Sequence, residues 1–512
     1  MDKMELPEAL KVLLAALVFL GVPLLYFIFL PVSYSFDGTV FSHMLRYALQ
    51  KHEWIEIGQV HHLLYFPLTY WLYRILQVLF GYRVLEFFHL QLFSMVFSVA
   101  TLVLVERLLK KLGLDLLLRL VGVAVIAFSY AFWLFSVDAE VHIPGLFFTM
   151  AGMYLLLFRK TTAWPLAGAA ICFAMAAGFH LTNVLAFIAA LLYLLMQRTS
   201  WRRLVQFGAA YASSLLLLYS FYSLLSRLPI LKVLHSTLFG ADRYSGYHVA
   251  FSRPFSWTTL LSSLASVKTA LVADSGILPW AILIAFAGLL VLGFRADENR
   301  LRTTARQALL IWPLPYFLFF SWWDPGNMEF KIHVIIPLLI MALIMLSHLK
   351  PFTGHALGLL LAGVLLGINL ASGIAPLAEI GNNTDYQVAG AIRRATPDDA
   401  QILITGKFTG YGYGKIYIPY FSGREVLILD WLLGKGHALP EILAELSRRA
   451  GSGRSLYTLE EVAVQGKTLS DLLAFHKVDE KDRALFASAV RFVPVVALPG
   501  GHRLYRMEFR PL

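Results

Sequence analysis

SVDAEVHIP, residues 136–144, joins two apolar runs, 116–136 and 142–158, and puts Asp138, Glu140 and His142 where the chain must turn. The setting makes that placement costly. Of 512 residues, 58% are hydrophobic and 15% charged, and the mean hydropathy is +0.67, a composition that belongs to integral membrane proteins rather than soluble domains. Ionisable groups at the end of a membrane span are expensive and are retained chiefly where a site uses them.

A helix needs roughly 20 apolar residues to cross a bilayer. Runs of that kind fall at 10–30, 84–106, 116–136, 142–158, 163–179, 182–197, 204–226, 275–294, 307–321, 334–349 and 355–375, which predicts about eleven spans. Basic clusters occupy alternate turns: Arg107/Lys110/Lys111, Arg159/Lys160, Arg198/Arg202/Arg203, Arg295/Arg300/Arg302/Arg306 and Lys350. By the positive-inside rule these turns are cytoplasmic, and so is the N-terminus. The turn 136–144 then faces outward, from a plasma membrane or endoplasmic reticulum, and so does everything after about residue 377.

The net charge of +11 is dispersed over those topological clusters, with no aromatic-laced basic patch, so it argues against nucleic acid. The single cysteine, Cys172, lies in an apolar run, which excludes an intrachain disulfide and a cysteine-based zinc site. In the first outer loop, residues 38–54 carry Val40, Met44, Leu45 and Leu49 at helical spacing, as an interfacial helix does. Residues 61–83 are apolar enough for a twelfth span, yet counting them would put the later basic clusters outside. They read better as an interfacial or re-entrant segment.

The two expected domains are a membrane part, 1–376, and an extracytoplasmic α/β domain, 377–512. In the latter, AQILITG (400–406) and EVLILDW (425–431) read as buried strands, 439–451 as an amphipathic helix, RSLYTLEE as strand then helix, and the final RFVPVVALPGGHRLYRMEF as a hairpin. GKFTGYGYGKIY (406–417) is no Walker A loop, because Thr409 replaces its first glycine and Ile416 its Ser or Thr. Asn382 opens a formal glycosylation sequon.

The outer turns hold the candidate chemistry. Asp37, in SFDG just after the first span, suits either a site or a helix N-cap. Asp138 and Glu140 beside His142 can orient a hydroxyl, take its proton or bind a divalent cation, or else cap the following helix. SWWDPGNMEFKIH (321–333) crowds Asn327, Glu329 and Lys331 into one turn, with Trp322 and Trp323 as interfacial aromatics. A lysine on the outer face does not serve topology, so an anionic partner such as a lipid phosphate is expected. His61, His62, His180, Arg243, His248 and Arg253 are further candidates for that phosphate.

An outer-loop aspartate after the first span, interfacial helices in that loop, an acidic turn between the third and fourth spans and a soluble domain after the last together resemble the GT-C glycosyltransferases. DAEVH followed by AGFHLTN is similar to their protein O-mannosyltransferase-like branch. That resemblance implies a polytopic helical membrane enzyme that transfers a hexosyl or pentosyl group from a polyprenyl-phosphate donor, with inversion, to a protein, lipid or glycan acceptor. It implies Asp37 as base, with Gly38 where family members often have a second acid, Asp138, Glu140 and His142 lining the same cavity, and Lys331 on the departing phosphate. The rival reading is a lipid or solute transporter, against which stand the one-sided placement of charge and the lack of internal duplication.

Overall fold

The computed structural model describes residues 7–51, 61–158, 162–239, 254–273, 300–406, 414–464 and 466–510, with isolated positions between 276 and 288. The chain forms two compact bodies, one of Met1–Pro31 with Met44–Ala378, the other of Val32–His43 with Glu379–Leu512. The expected span 275–294 lies largely outside the described residues, as do Arg243, His248 and Arg253.

In the first body, five of the described helices are long and apolar enough to cross a membrane: Glu8–Ile28, Glu86–Lys111, Trp201–Ser226, Glu329–Leu346 and Pro351–Ala378. Shorter apolar helices cover His142–Phe158, Ala163–Phe179 and Leu181–Met196. Their surroundings differ as their sequences do. The helix Ile332–Leu346 is apolar all round and almost wholly buried, so it is the axis of the core. Glu8–Ile28 buries only Val22 and Tyr26 and exposes Leu13, Leu17, Leu20 and Leu24, a face suited to lipid. Tyr65–Phe80, from the segment read as interfacial, has 16 residues and is too short to span alone.

The run 116–136 is not one straight helix. Leu116–Phe128 and Tyr130–Val137 meet at an angle of 69°. Between them Ser129 is extended, at φ −65° and ψ 137°, and its hydroxyl donates back to the Ile126 carbonyl at 2.8 Å. A break of this kind frees backbone carbonyls that lipid cannot satisfy. Two other helices supply donors. The Tyr26 hydroxyl donates to Ala127 O at 2.6 Å, and the Asn369 amide donates to Phe128 O at 2.7 Å.

Asn369 does more than patch the break. Fully buried, it also donates to Leu271 O at 3.0 Å and accepts from the Ala273 N–H at 2.8 Å, which closes the end of the helix Trp257–Leu271. It opens a π-helical turn, Asn369–Ile374, in which a Cβ on Gly373 would stand 2.5 Å from the Tyr130 ring. The kinked helix therefore rests against a backbone that only glycine allows so close.

The second body is built on a five-stranded sheet ordered β2-β1-β3-β5-β4. β1 (Gln401–Ile404) pairs in parallel with β2 (Glu425–Ile428) and β3 (Leu456–Leu459), while β4 (Val490–Ala497) and β5 (Arg503–Phe509) form the antiparallel hairpin that joins β3. β1 is apolar without alternation because both faces are covered. Leu403 packs with Leu443, Leu472 and Phe486 on one side, and Ile402 and Ile404 pack with Val388 and Ile392 on the other.

Val32–His43, expected with the membrane part, groups with this sheet domain. Tyr34 stacks on Phe421 at 5.0 Å, its carbonyl accepts from the Tyr417 hydroxyl, and the Asn383 amide holds the Val32 carbonyl at 2.6 Å. These contacts anchor the segment that leads into Asp37.

Replacing Asn369 with Leu deletes three hydrogen bonds to buried backbone and should cost about 3 kcal/mol or more, whereas Tyr26→Phe orphans one carbonyl and should cost about 1 kcal/mol. Thermal unfolding of the two variants in detergent, followed by tryptophan fluorescence, checks this order. Equal effects would contradict it.

Candidate functional site

The kinked helix ends at Asp138 (φ −100°, ψ 162°), and the next helix begins at His142, with the Val141 carbonyl taking its first bond, from Gly145 N–H. The N-cap place therefore belongs to Val141, not to either acid. Asp138 and Glu140 are buried, at 4% and 3% exposure. The Asp138 carboxylate accepts from the Ala139 N–H at 2.7 Å, and the Glu140 carbonyl accepts from the Ser94 hydroxyl at 3.2 Å. Tyr65 is buried with both carboxylates as electrostatic neighbours; burial first, then Glu140 and Asp138, push its phenol well above the usual range.

A second group grows from the turn 178–183. Its backbone pairs with residues 61–64, Leu64 N–H to Gly178 O at 3.0 Å and Leu181 N–H to His61 O at 3.2 Å. A Cβ on Gly178 would come within 2.8 Å of the Leu64 side chain, so glycine permits this close docking. From below, Asn183 donates to Ala176 O at 3.0 Å and accepts from the Tyr316 hydroxyl at 2.9 Å. The turn is thereby fixed before any ligand arrives.

Three imidazoles line up across it. His62 and His180 have ring centroids 5.0 Å apart, and His180 and His142 are 5.3 Å apart. His62 Nδ1 is 3.0 Å from Phe179 O, so it carries the proton. His180 Nδ1 accepts from the Thr182 N–H at 3.2 Å and meets its hydroxyl at 2.6 Å. Burial pushes His62 down to about 3, and burial reinforced by the neighbouring imidazoles pushes His180 well below the usual range. Both rings are neutral at physiological pH. A cationic rim is therefore not what these histidines provide.

The third element is the turn 324–331. Glu329 Oε2 lies 3.6 Å from His142 Nε2 and accepts from the Asn327 amide at 3.2 Å, while the Glu329 N–H donates to Asn327 Oδ1 at 3.0 Å. Lys331, two residues on, is fully buried. Its Nζ has no hydrogen-bond partner among the described residues and stands 5.7 Å from the Phe320 ring. Glu329–Lys331 packs against both Tyr130–Val137 and Trp257–Leu271, so Lys331 shares a neighbour with the acidic turn. Trp323 packs on Phe330 at 5.6 Å, a core role beyond the interfacial one.

The structure thus joins His62, His180, His142, Glu329 and Asn327 in one run of contacts and buries Asp138, Glu140 and Lys331 in the same body. Asp37 belongs to the other body, exposed in the first turn of the helix Phe36–Lys51. The cap there is Ser35, whose hydroxyl accepts from Gly38 N–H at 3.1 Å, so the capping alternative for Asp37 falls away. Tyr65, Ser94 and the buried Lys268 escaped the sequence reading. Only Lys268 left a signal there, a lysine inside the otherwise uncharged helix Trp257–Leu271. Among the described residues no three His, Cys, Asp or Glu side chains gather into one group.

No protein-family model matches the chain, and no curated protein matches it. Solved structures do. ArnT from Cupriavidus metallidurans bound to undecaprenyl phosphate superposes with a TM-score of 0.63 at 12% identity, covering 96% of this chain and 97% of that one. The same protein in the apo state gives 0.60 at 12% identity, with 97% of each chain covered. Arabinofuranosyltransferase AftD from Mycobacteria gives 0.50 at 14% identity, with 99% of this chain spanning 40% of that one. The narrower likeness to protein O-mannosyltransferases rests on DAEVH and AGFHLTN alone. The chain shares its fold with ArnT and AftD.

Proposed function

We propose that the protein transfers a sugar from a polyprenyl-phosphate donor to an acceptor hydroxyl of a protein, lipid or glycan at the outer face of the membrane. The single observation that carries this reading is Lys331. An ammonium buried without a hydrogen-bond partner costs several kcal/mol, a cost that binding of an anionic group would offset. A lipid phosphate is the anion met at membrane depth. The fold supports the same reading, since one neighbour was solved with undecaprenyl phosphate bound and another is an arabinofuranosyltransferase.

In this scheme Asp37 takes the proton of the acceptor hydroxyl, whose oxygen attacks the anomeric carbon. The bond from that carbon to the phosphate oxygen breaks with inversion, and polyprenyl phosphate leaves with the electron pair, its charge met by Lys331. Asp138 and Glu140 hold the acceptor and the developing positive charge on the sugar. The N-terminus is cytoplasmic and the sheet domain extracytoplasmic, in a plasma membrane or endoplasmic reticulum. The motifs DAEVH and AGFHLTN favour a mannosyltransferase-like branch. Arg243 and Arg253 remain candidates for the phosphate from the sequence alone.

Purified protein in nanodiscs, given a panel of polyprenyl-phosphate sugars and candidate acceptors, should release lipid phosphate, and Asp37→Asn and Glu140→Gln should each lower the rate by about 10²- to 10⁴-fold. Full turnover in Asp37→Asn removes it as the base, and movement of labelled lipid across the bilayer without glycosyl transfer favours a transporter. Lys331→Met should lose affinity for undecaprenyl phosphate while its thermal midpoint stays level or rises, because a buried charge has been removed. A falling midpoint with affinity intact would assign Lys331 to structure.

A further inference from the structure

Resting on the glycosyltransferase reading, we infer that His180, His142 and Glu329, with Asn327 holding the carboxylate, form the subsite that reads the hydroxyls of the donor sugar, separate from the lysine that meets its phosphate. The tautomer of His180 comes first. Its Nδ1 accepts from the Thr182 backbone N–H at 3.2 Å, and the Thr182 hydroxyl lies 2.6 Å from the same nitrogen. A neutral imidazole fixed in this way carries its proton on Nε2, and among the described residues that Nε2–H has no acceptor. It is a neutral donor, partly accessible, on a ring 5.3 Å from His142.

Glu329 supplies the complement. Its Oε2 is occupied by the Asn327 amide at 3.2 Å and faces His142 Nε2 at 3.6 Å, whereas Oε1 accepts no hydrogen bond among the described residues. The side chain is 29% exposed, so a ligand can reach it. The 2.7–3.2 Å needed for hydrogen bonds is within reach of a group that both donates and accepts, and a sugar hydroxyl does both. Phe330, 5.6 Å from His142 and 5.8 Å from His180, gives the cluster an apolar wall for the C–H face of a pyranose or furanose ring.

A phosphate does not suit this place. The carboxylate of Glu329 would repel it, and the imidazoles of His62 and His180 are neutral because burial and their mutual proximity oppose protonation. An anion gains from the buried ammonium of Lys331 instead. Donor recognition is thereby divided: the lipid phosphate is common to all polyprenyl-phosphate sugars, and the hydroxyl pattern distinguishes them. A site built around hydrogen bonds to hydroxyls discriminates strongly, because an unmatched donor or acceptor is left buried and unpaired.

The test uses full-length protein in nanodiscs, with sugar-free undecaprenyl phosphate and with undecaprenyl-phosphate mannose, glucose, galactose and arabinofuranose. His180→Phe and Glu329→Gln should bind sugar-free undecaprenyl phosphate as the wild type does, which also reports that they fold. Their kcat/KM for the best donor should fall about 10- to 100-fold, while the weaker donors lose much less, so that the preference flattens. Loss of undecaprenyl phosphate binding in these variants, or an unchanged donor preference, overturns the inference and leaves the glycosyltransferase reading standing. Wild-type protein that neither binds undecaprenyl phosphate nor turns over any of the four donors overturns that reading as well.

Discussion

A backbone carbonyl inside a membrane has no water to turn to, and the turn that carries Asp138, Glu140 and His142 depends on how this chain meets that constraint at Ser129. The break there bends the apolar run 116–136 by 69° and directs its last turns toward the acidic segment. It is tolerable because Tyr26 and Asn369 bring donors to Ala127 O and Phe128 O. Asn369 also closes the end of the helix Trp257–Leu271, which with Tyr130–Val137 flanks the turn that bears Lys331. One buried amide thus ties together the supports of both the acidic turn and the buried lysine. The fixed 178–183 turn follows the same logic, with Asn183 and Tyr316 in the supporting role.

Within this scaffold the charges are separated by kind. The histidines are buried close together, and burial keeps His62 and His180 uncharged, so they act as hydrogen-bonding groups of fixed tautomer. Among the carboxylates, Asp138 and Glu140 sit beside Tyr65, and Glu329 sits beside His142. The ammonium of Lys331 lies over the Phe320 ring, with Asp324 as its electrostatic neighbour. Such a distribution suits a ligand with a neutral polar end and an anionic one. The cost of burying that lysine is the strongest physical argument that an anion belongs there.

Much of this was legible in the sequence, for identifiable reasons. Apolar run length does not depend on tertiary contacts, so the long apolar helices Glu8–Ile28, Glu86–Lys111 and Trp201–Ser226 could be read directly. His62, His180, His142 and Glu329 were readable as candidates because ionisable residues are scarce near span ends. In the sheet domain, short apolar strands bounded by Gly and a Pro-Gly-Gly turn marked β1, β2 and the final hairpin. What stayed hidden needed partners distant in sequence. Ser129 in AFSYAFW looks like any small residue in an apolar run, and its consequence depends on Asn369, 240 residues away. Val32–His43 packs with the sheet domain through Tyr34, Tyr417, Phe421 and Asn383, none of which differs in composition from an interfacial aromatic or a loop residue. The neutrality of His62 and His180 was equally invisible, since it follows from burial and mutual proximity rather than from residue type.

The most direct measurement of the central claim is a cryo-electron microscopy structure of the protein in nanodiscs with undecaprenyl phosphate. The phosphate should lie within about 3 Å of Lys331 Nζ and clear of the His180–Glu329 cluster. A phosphate seated on the imidazoles, or a lipid bound elsewhere with Lys331 still buried over Phe320, would contradict it.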